Sequence, residues 1–264
     1  MNNYDHTMLL RAAEHAALEA GSILREGFGK PLETRSKEGM HNLVTQFDLR
    51  AEECIVTALR KHTPDAAIMA EESGITTGSD DLQWVIDPLD GTVNFAHGIP
   101  IFCVSIAAVL HGSIQCGVIY NPLTQELFTA VRSGGAWLNG QRLHVSATPA
   151  LSDAILVTGF PYNVADNPLQ CIDQFAAVVG KGLPVRRLGS AALDLAYTAA
   201  GRFDAYWESI LQPWDMAAGV LLVQEAGGRV SRYLNAPFEL TTGSIIASNG
   251  LIHGELSELL ELRS

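Results

Sequence analysis

Two aspartates three residues apart, Asp87 and Asp90, end an apolar run and open onto Gly91, Thr92 and Asn94. The stretch reads Trp84-Val85-Ile86-Asp87-Pro88-Leu89-Asp90-Gly91-Thr92-Val93-Asn94-Phe95. Carboxylates this close repel each other unless a cation sits between them. Oxygen-only ligands favour Mg²⁺, Mn²⁺ or Ca²⁺ over zinc. Gly91 lets backbone N–H groups approach an anion with no Cβ in the way. Thr92 and Asn94 have the character of capping residues on a short helix, whose N-terminus favours phosphate. The chemistry this suggests is metal-assisted work on a phosphate group. A strand followed by an Asx-type turn, with solvated aspartates, is the competing account of the same residues.

The elements around this stretch must position it. Gln83 to Ile86 has the shortness and apolarity of a central strand. Pro88 lacks an N–H, so the strand is predicted to stop there. Asp87, preceding a proline, is biased toward extended geometry. Residues 66–70 read as a strand leading into Glu71 and Glu72. Period two points these glutamates to opposite faces, so they should not share one job. Asp48 begins a helix running to about Lys61, where capping is its competing role. Asp215 follows Trp214 at the start of another helical run. As a helix N-terminal charge alone it contributes at most ~1 kcal/mol. Its position also suits a ligand reaching across from the second half of the chain.

The remaining pattern divides near residue 142. Residues 1–141 read as an α+β lobe: helices packed on a mainly antiparallel sheet. Residues 102–110, 114–120 and 126–131 are strand-like, and Asn139-Gly140 is a hairpin turn. Residues 34–42 and 74–81 read as polar loops. Residues 142–264 alternate strands with helices, as an α/β lobe does.

Composition sets limits. The chain has 264 residues, 47% hydrophobic and 17% charged, with 24 glycines, as suits a globular α/β protein. A net charge of −12 argues against a nucleic-acid footprint. Carboxylates that recruit metal ions reverse the local sign and reconcile an acidic protein with a phosphate substrate. Cys54, Cys103, Cys116 and Cys171 form no C-x-x-C pair and read as reduced thiols of a cytoplasmic protein. No basic-then-apolar signal pattern opens the sequence, and the apolar runs are too short to span a membrane.

The motifs together resemble the inositol monophosphatase family, of the Mg²⁺-dependent, lithium-sensitive phosphatase superfamily. The stretch from Trp84 to Phe95 fits W-x-x-D-P-[IL]-D-G-T-x-N-F. Ala70-Glu71-Glu72-Ser73 matches its G-E-E-S element, and Trp214-Asp215-Met216-Ala217-Ala218-Gly219 its W-D-x-A-[AG]-G element. The segment from Arg186 to Tyr197 is similar to bacterial members. Val93 and Ala70 depart from the commonest form, and neither supplies a ligand.

The resemblance implies a layered α-β-α-β-α sandwich and a homodimer. It implies two or three Mg²⁺ ions, with Mn²⁺ as a substitute, held by Glu71, Asp87, the Leu89 carbonyl, Asp90 and Asp215, with Glu72 in support. Asp48 and Thr92 would orient the attacking water beside Glu71. Asp90, Gly91, Thr92, Gly189, Ser190, Ala191, Glu208 and Asp215 would face the substrate. Lys37 matches a basic residue of a mobile loop or is a solvated lysine. Arg186 and Arg187 contact phosphate or a partner subunit; the residues do not decide. The implied substrate is a small polyol phosphate, first myo-inositol 1-phosphate. Fructose-1,6-bisphosphatase, histidinol-phosphatase and 3′-nucleotidase activities share the scaffold. A different class of role is also implied: protein partner in a ribosomal-RNA transcription complex.

Overall fold

The computed structural model describes residues 4–32, 34–36, 43–78 and 81–261. The outermost layer holds helices α1 (His6–Gly27) and α2 (Gln46–Arg60), preceded by a short antiparallel pair, β1 (Thr34–Ser36) and β2 (Leu43–Thr45). Alanines 12, 13, 16, 17 and 20 of α1 face inward, and their small side chains let the helix lie close to the sheet below.

That sheet has eight strands: β3 (Ala67–Ala70), β4 (Gly74–Thr76), β5 (Leu82–Asp90), β6 (Cys103–Leu110), β7 (Ser113–Asn121), β8 (Glu126–Val131), β9 (Gly135–Leu138) and β10 (Gln141–Arg142). Their order is β10-β9-β8-β7-β6-β5-β3-β4, with β3 and β5 parallel and the other neighbours antiparallel. The short helix α3 (Thr92–Ala96) follows β5.

Alternation along the strands divides two cores. Trp84, Ile86, Val104, Ile106 and Val118 pack beneath α1 and α2. Val85, Cys103, Ala107, Ile119 and Phe128 face the other way, onto α5 (Ala191–Ala199) and α6 (Pro213–Glu225). Strand β7 meets α6 at Gly117, where a Cβ would lie 2.8 Å from the Ala218 backbone. A side chain there would push α6 off the sheet.

Beyond these helices lies a second sheet. It contains β11 (Leu156–Thr158), β12 (Val185–Arg186), β13 (Ala205–Glu208), β14 (Arg229–Ser231) and β15 (Ile245–Ser248), in the order β12-β11-β13-β15-β14. Tyr206, Ile245 and Ala247 point toward α5 and α6. Trp207, Leu156 and Ile246 point outward, toward the layer of α4 (Cys171–Gly180) and α7 (His253–Leu260). The layers run α-β-α-β-α, the expected sandwich.

Three local expectations need correction. Strand β5 does not stop at Pro88. Asp87 pairs with Ser105 and Asp90 with Cys103, so three steps on β5 match two on β6. The proline sits in this bulge, where no ladder N–H is required. Gly74 to Thr76 is an edge strand on β3, not a loop, because the chain reverses directly after Ser73. Within 34–42, residues 34–36 pair with β2.

His253 yields a first expected result. It is 0% exposed, with Ser231 Oγ 2.8 Å from Nε2 and Ser248 Oγ 2.9 Å from Nδ1. Burial, aided by the Arg229 charge, pushes it down from 6.5 to about 4. Between those values the unfolded chain binds the extra proton, so stability is lost as pH falls through that window. Wild type should lose about 3 kcal/mol more than a His253→Gln variant between about pH 7 and about pH 4. Urea unfolding at each pH reads this, and equal losses would refute it.

Candidate active site

The carboxylates converge from four elements. Asp48 is the third residue of α2. Its Oδ2 accepts the Thr45 N–H at 2.8 Å and the Thr45 hydroxyl at 2.5 Å. Thr45 Oγ in turn accepts the Phe47 N–H, completing a capping box. The cap leaves Asp48 Oδ1 to accept the Thr92 hydroxyl at 3.1 Å. Asp48 therefore both caps its helix and reaches the central loop. Burial pushes its carboxyl up to about 6 against the pull of the Thr45 hydrogen bonds, and the charge of Glu71 adds to the rise.

Glu71 leaves the end of β3 with its N–H donated to the Ile86 carbonyl at 3.2 Å, which holds it beside β5. The next two N–H groups, of Glu72 and Ser73, donate to the Glu52 carboxylate at 2.9 Å each. Glu52, on α2, thus fixes the turn that aims Glu71. Its signal in the sequence was only a charge on the inner face of a helix.

Asp87 and Asp90 stand on either side of the bulge in β5. Asp87 Oδ1 accepts the Leu89 N–H at 3.0 Å. Burial raises Asp87 well above the usual range, and Glu71, Asp90 and Asp215 push it the same way. Asp90 Oδ2 accepts the Ser190 hydroxyl at 2.5 Å, the Ala192 N–H at 2.8 Å and the Cys103 thiol at 3.7 Å. Burial raises Asp90 to about 6 despite those donors. Asp215 arrives on the first turn of α6, its Oδ2 accepting the Gln212 N–H at 2.6 Å. Burial raises it strongly, and Asp90 is the next cause.

Thr92 and Asn94 do not cap α3. Gly91 is the N-cap, in the left-handed region at φ +96°. The Thr92 hydroxyl is turned back onto Asp48 and onto the Leu89 carbonyl at 3.0 Å. Asn94 Nδ2 donates to the Ile101 and Leu188 carbonyls, both at 2.8 Å. It ties the central loop to the segment holding Gly189, Ser190 and Ala191. Ser190 caps α5 and bonds Asp90, so helix and carboxylate are fixed together.

Glu208 ends β13, with the Tyr206 hydroxyl donating to its Oε2 at 2.7 Å. Burial raises it to about 7. Gly159 lies directly beneath: a Cβ there would stand 1.9 Å from Glu208 Oε2. With Glu208 facing the alcohol of a phosphate ester, as the family resemblance implies, Gly159→Ala is expected to displace Glu208 and lower kcat/KM on such an ester about 10- to 100-fold, with smaller loss on an aryl phosphate. Equal loss on both esters would contradict this. The charge of Arg187 pulls Glu208 down, whereas Arg186 donates to its neighbour's carbonyl on the surface. Lys37 lies outside the described residues. Tyr162 has no sequence signal; burial raises its phenol to about 12, and the charges of Glu71, Asp90, Asp215 and Asp87 add to the rise. It stands 57% exposed at the rim of the acidic cluster.

The donor set bears on metal binding. Among the described residues, no group of three or more His, Cys, Asp or Glu side chains is gathered to hold an ion as it stands. Asp87, Asp90 and Asp215 are each fixed by hydrogen bonds on a single oxygen. Asp87 and Asp90 are buried and Asp215 half-buried; carboxylates steadied this way and mutually repelling fit a hard divalent cation.

The family model for the inositol monophosphatase family matches residues 5–263. The chain belongs to the inositol monophosphatase family. This is a family of phosphatases, generally metal-dependent, and the chain is an enzyme of that kind. An inositol-1-monophosphatase of a Synechocystis species is 45% identical over 252 residues, 95% of this chain and 88% of that protein. A Nus factor SuhB of Pseudomonas aeruginosa is 47% identical over 247 residues, 91% of each chain. The structure of extragenic suppressor protein suhB from Bartonella henselae matches with a TM-score of 0.92 at 40% identity, over 97% of this chain and 99% of that one. Among the described residues, no helix of this family member is long and apolar enough to cross a membrane.

Proposed function

We propose that the chain is a Mg²⁺-dependent phosphate monoesterase that hydrolyses small polyol phosphates, first among them myo-inositol 1-phosphate. The observation that carries this is the Thr92–Asp48 hydrogen bond set beside the repelling carboxylates of β5 and α6. Glu71, Asp87, the Leu89 carbonyl, Asp90 and Asp215 hold the metal. When bound, two or three Mg²⁺ ions lower the pKa of water and neutralise phosphate charge. Mn²⁺ serves in their place.

The chain's own residues do the rest. Thr92 donates its proton to Asp48, so its oxygen is left to accept from the attacking water. Asp48, poised at about 6, takes up the proton that the water releases. Glu71 steadies the water from the side of β3. N–H groups of Gly91 and Thr92 hold phosphate oxygens. The polyol lies against Gly189, Ser190, Ala191 and Glu208, with Asp90 and Asp215 at the phosphate end. No covalent intermediate is required.

Phosphate release with Mg²⁺ across inositol, sugar, histidinol and nucleotide phosphates, with and without Li⁺, tests the reading. Turnover of inositol 1-phosphate suppressed by Li⁺ supports it. No turnover of any ester, with metal bound, overturns it. A homodimer in the cytoplasm completes the proposal, and the four free cysteines suit a reducing compartment.

A second role, as a protein partner in a transcription complex, draws support from the relatives named Nus factor SuhB. Asp90→Asn separates the two. If that variant loses phosphatase activity yet sustains the cellular function, the partner role is primary.

A further inference from the structure

The buried stripe of α2 holds Phe47, Ala51, Ile55, Ala58 and Leu59, all in the core shared with α1 and the first sheet. Two acids interrupt it, Asp48 and Glu52. Asp48 lies in the first turn and caps the helix. Glu52 lies a full turn further in, where no cap is needed, and is 5% exposed. An amphipathic helix places an apolar residue at such a position. Both oxygens of Glu52 are instead taken by the turn after β3. Oε2 accepts the Glu72 N–H and Oε1 the Ser73 N–H, each at 2.9 Å.

This placement joins two parts of the site. Residues four apart on a helix share a face and stand about 6 Å apart along its axis. Asp48 and Glu52 are therefore fixed on one rigid rod. Asp48 accepts the Thr92 hydroxyl at one end of it. Glu52 grips the two residues that follow Glu71. Glu71 itself is tied to β5 by its N–H on the Ile86 carbonyl. It is thus clamped between β5, which carries Asp87 and Asp90, and α2, which carries Asp48.

We propose that Glu52 is a positioning residue for the metal site: by holding the Glu72 and Ser73 N–H groups it sets the Glu71 carboxylate against Asp48. This rests on Glu71 as a metal ligand and Asp48 as the proton acceptor, as proposed above. Glu52 touches neither ion nor substrate in this role. Its influence falls on ion affinity and on the chemical step, and the Glu208 side of the pocket has no part in it.

Mn²⁺ titration read by electron paramagnetic resonance tests it, with kinetics on inositol 1-phosphate at saturating Mg²⁺. Glutamine keeps one acceptor oxygen and sets an NH₂ group against the second backbone N–H, which loses its partner. Glu52→Gln weakens Mn²⁺ binding about tenfold, and Glu52→Ala weakens it further, up to about 100-fold. With metal saturating, Glu52→Gln lowers kcat about tenfold and leaves KM within about twofold. In a chain already carrying Glu71→Gln, adding Glu52→Gln changes Mn²⁺ affinity by less than about twofold, because the carboxylate it aims is gone. A residue that only supports the fold would lower the melting temperature and leave Mn²⁺ affinity as it is; that result overturns the proposal. Full and additive losses in the double variant also overturn it, as does a Glu52→Gln chain that does not fold. A wild-type chain that neither binds Mn²⁺ nor cleaves any phosphate ester sinks the proposed function instead, and this inference with it.

Discussion

Asp87→Asn abolishes nearly all phosphate release, by about a thousandfold or more, and raises the melting temperature of the metal-free protein. The two effects have one cause. Asp87 is 2% exposed and its charge is opposed by burial and by Glu71, Asp90 and Asp215. Asparagine keeps the oxygen that accepts the Leu89 N–H, so the bulge in β5 is preserved. It replaces the second oxygen with a donor that neighbouring carboxylates accept. The fold loses a repulsion and gains a hydrogen bond, which is expected to raise the midpoint by a few degrees. On the proposed assignment, the ion loses a ligand. Calorimetry without metal and a phosphate-release assay with Mg²⁺ measure the pair. A variant that is destabilised and still active would show that Asp87 is structural.

Magnesium should stabilise the protein more strongly as pH rises. Burial raises Asp48 and Asp90 to about 6 and Glu208 to about 7, and it raises Asp87 and Asp215 as well. A carboxyl raised in the folded state binds protons that the unfolded chain has already released. Stability without metal therefore falls as pH climbs through those values, by an amount on the order of several kcal/mol in all. His253 opposes this trend only below 6.5, where its unfolded form titrates. Between about pH 6.5 and about pH 8, across the titration of Glu208, the carboxylates act alone, and the metal-free midpoint should drop. Saturating Mg²⁺ cancels the repulsion and flattens the curve. Its binding also releases protons, which calorimetry in buffers of different ionisation enthalpy detects. A metal-free midpoint that rises across this range would refute the account.

Much of this was legible in the residues. The strands and helices of the second half alternate as predicted, because hydrophobic periodicity and glycine turns mark them plainly. The six acidic and hydroxyl groups named as the core of the site do lie within one another's electrostatic or hydrogen-bonding reach. Other features were hidden for identifiable reasons. Proline reads as a stop, yet β5 carries Pro88 inside a bulge, and a bulge depends on the partner strand. Glu52 looks like any helical glutamate until the turn after β3 is seen folded over it. Asn94 resembles a cap locally, but both of its strong bonds reach carbonyls outside α3, one of them 94 residues away in Leu188. Gly159 carries meaning only through Glu208, far along the chain.

The helices α5 and α6 serve as the inner layer for both sheets. This bears on when the enzyme comes into being during synthesis. Asp48, Glu71, Asp87 and Asp90 emerge early, but the inner face of the first sheet has no cover until α5 and α6 are made. Asp215 comes with the second of these helices. Domains generally form in the order of translation. Here Asp215 and the cover of the inner sheet face arrive together, so with Asp215 as the proposed last ligand a nascent chain is expected to gain activity only once α6 has been made.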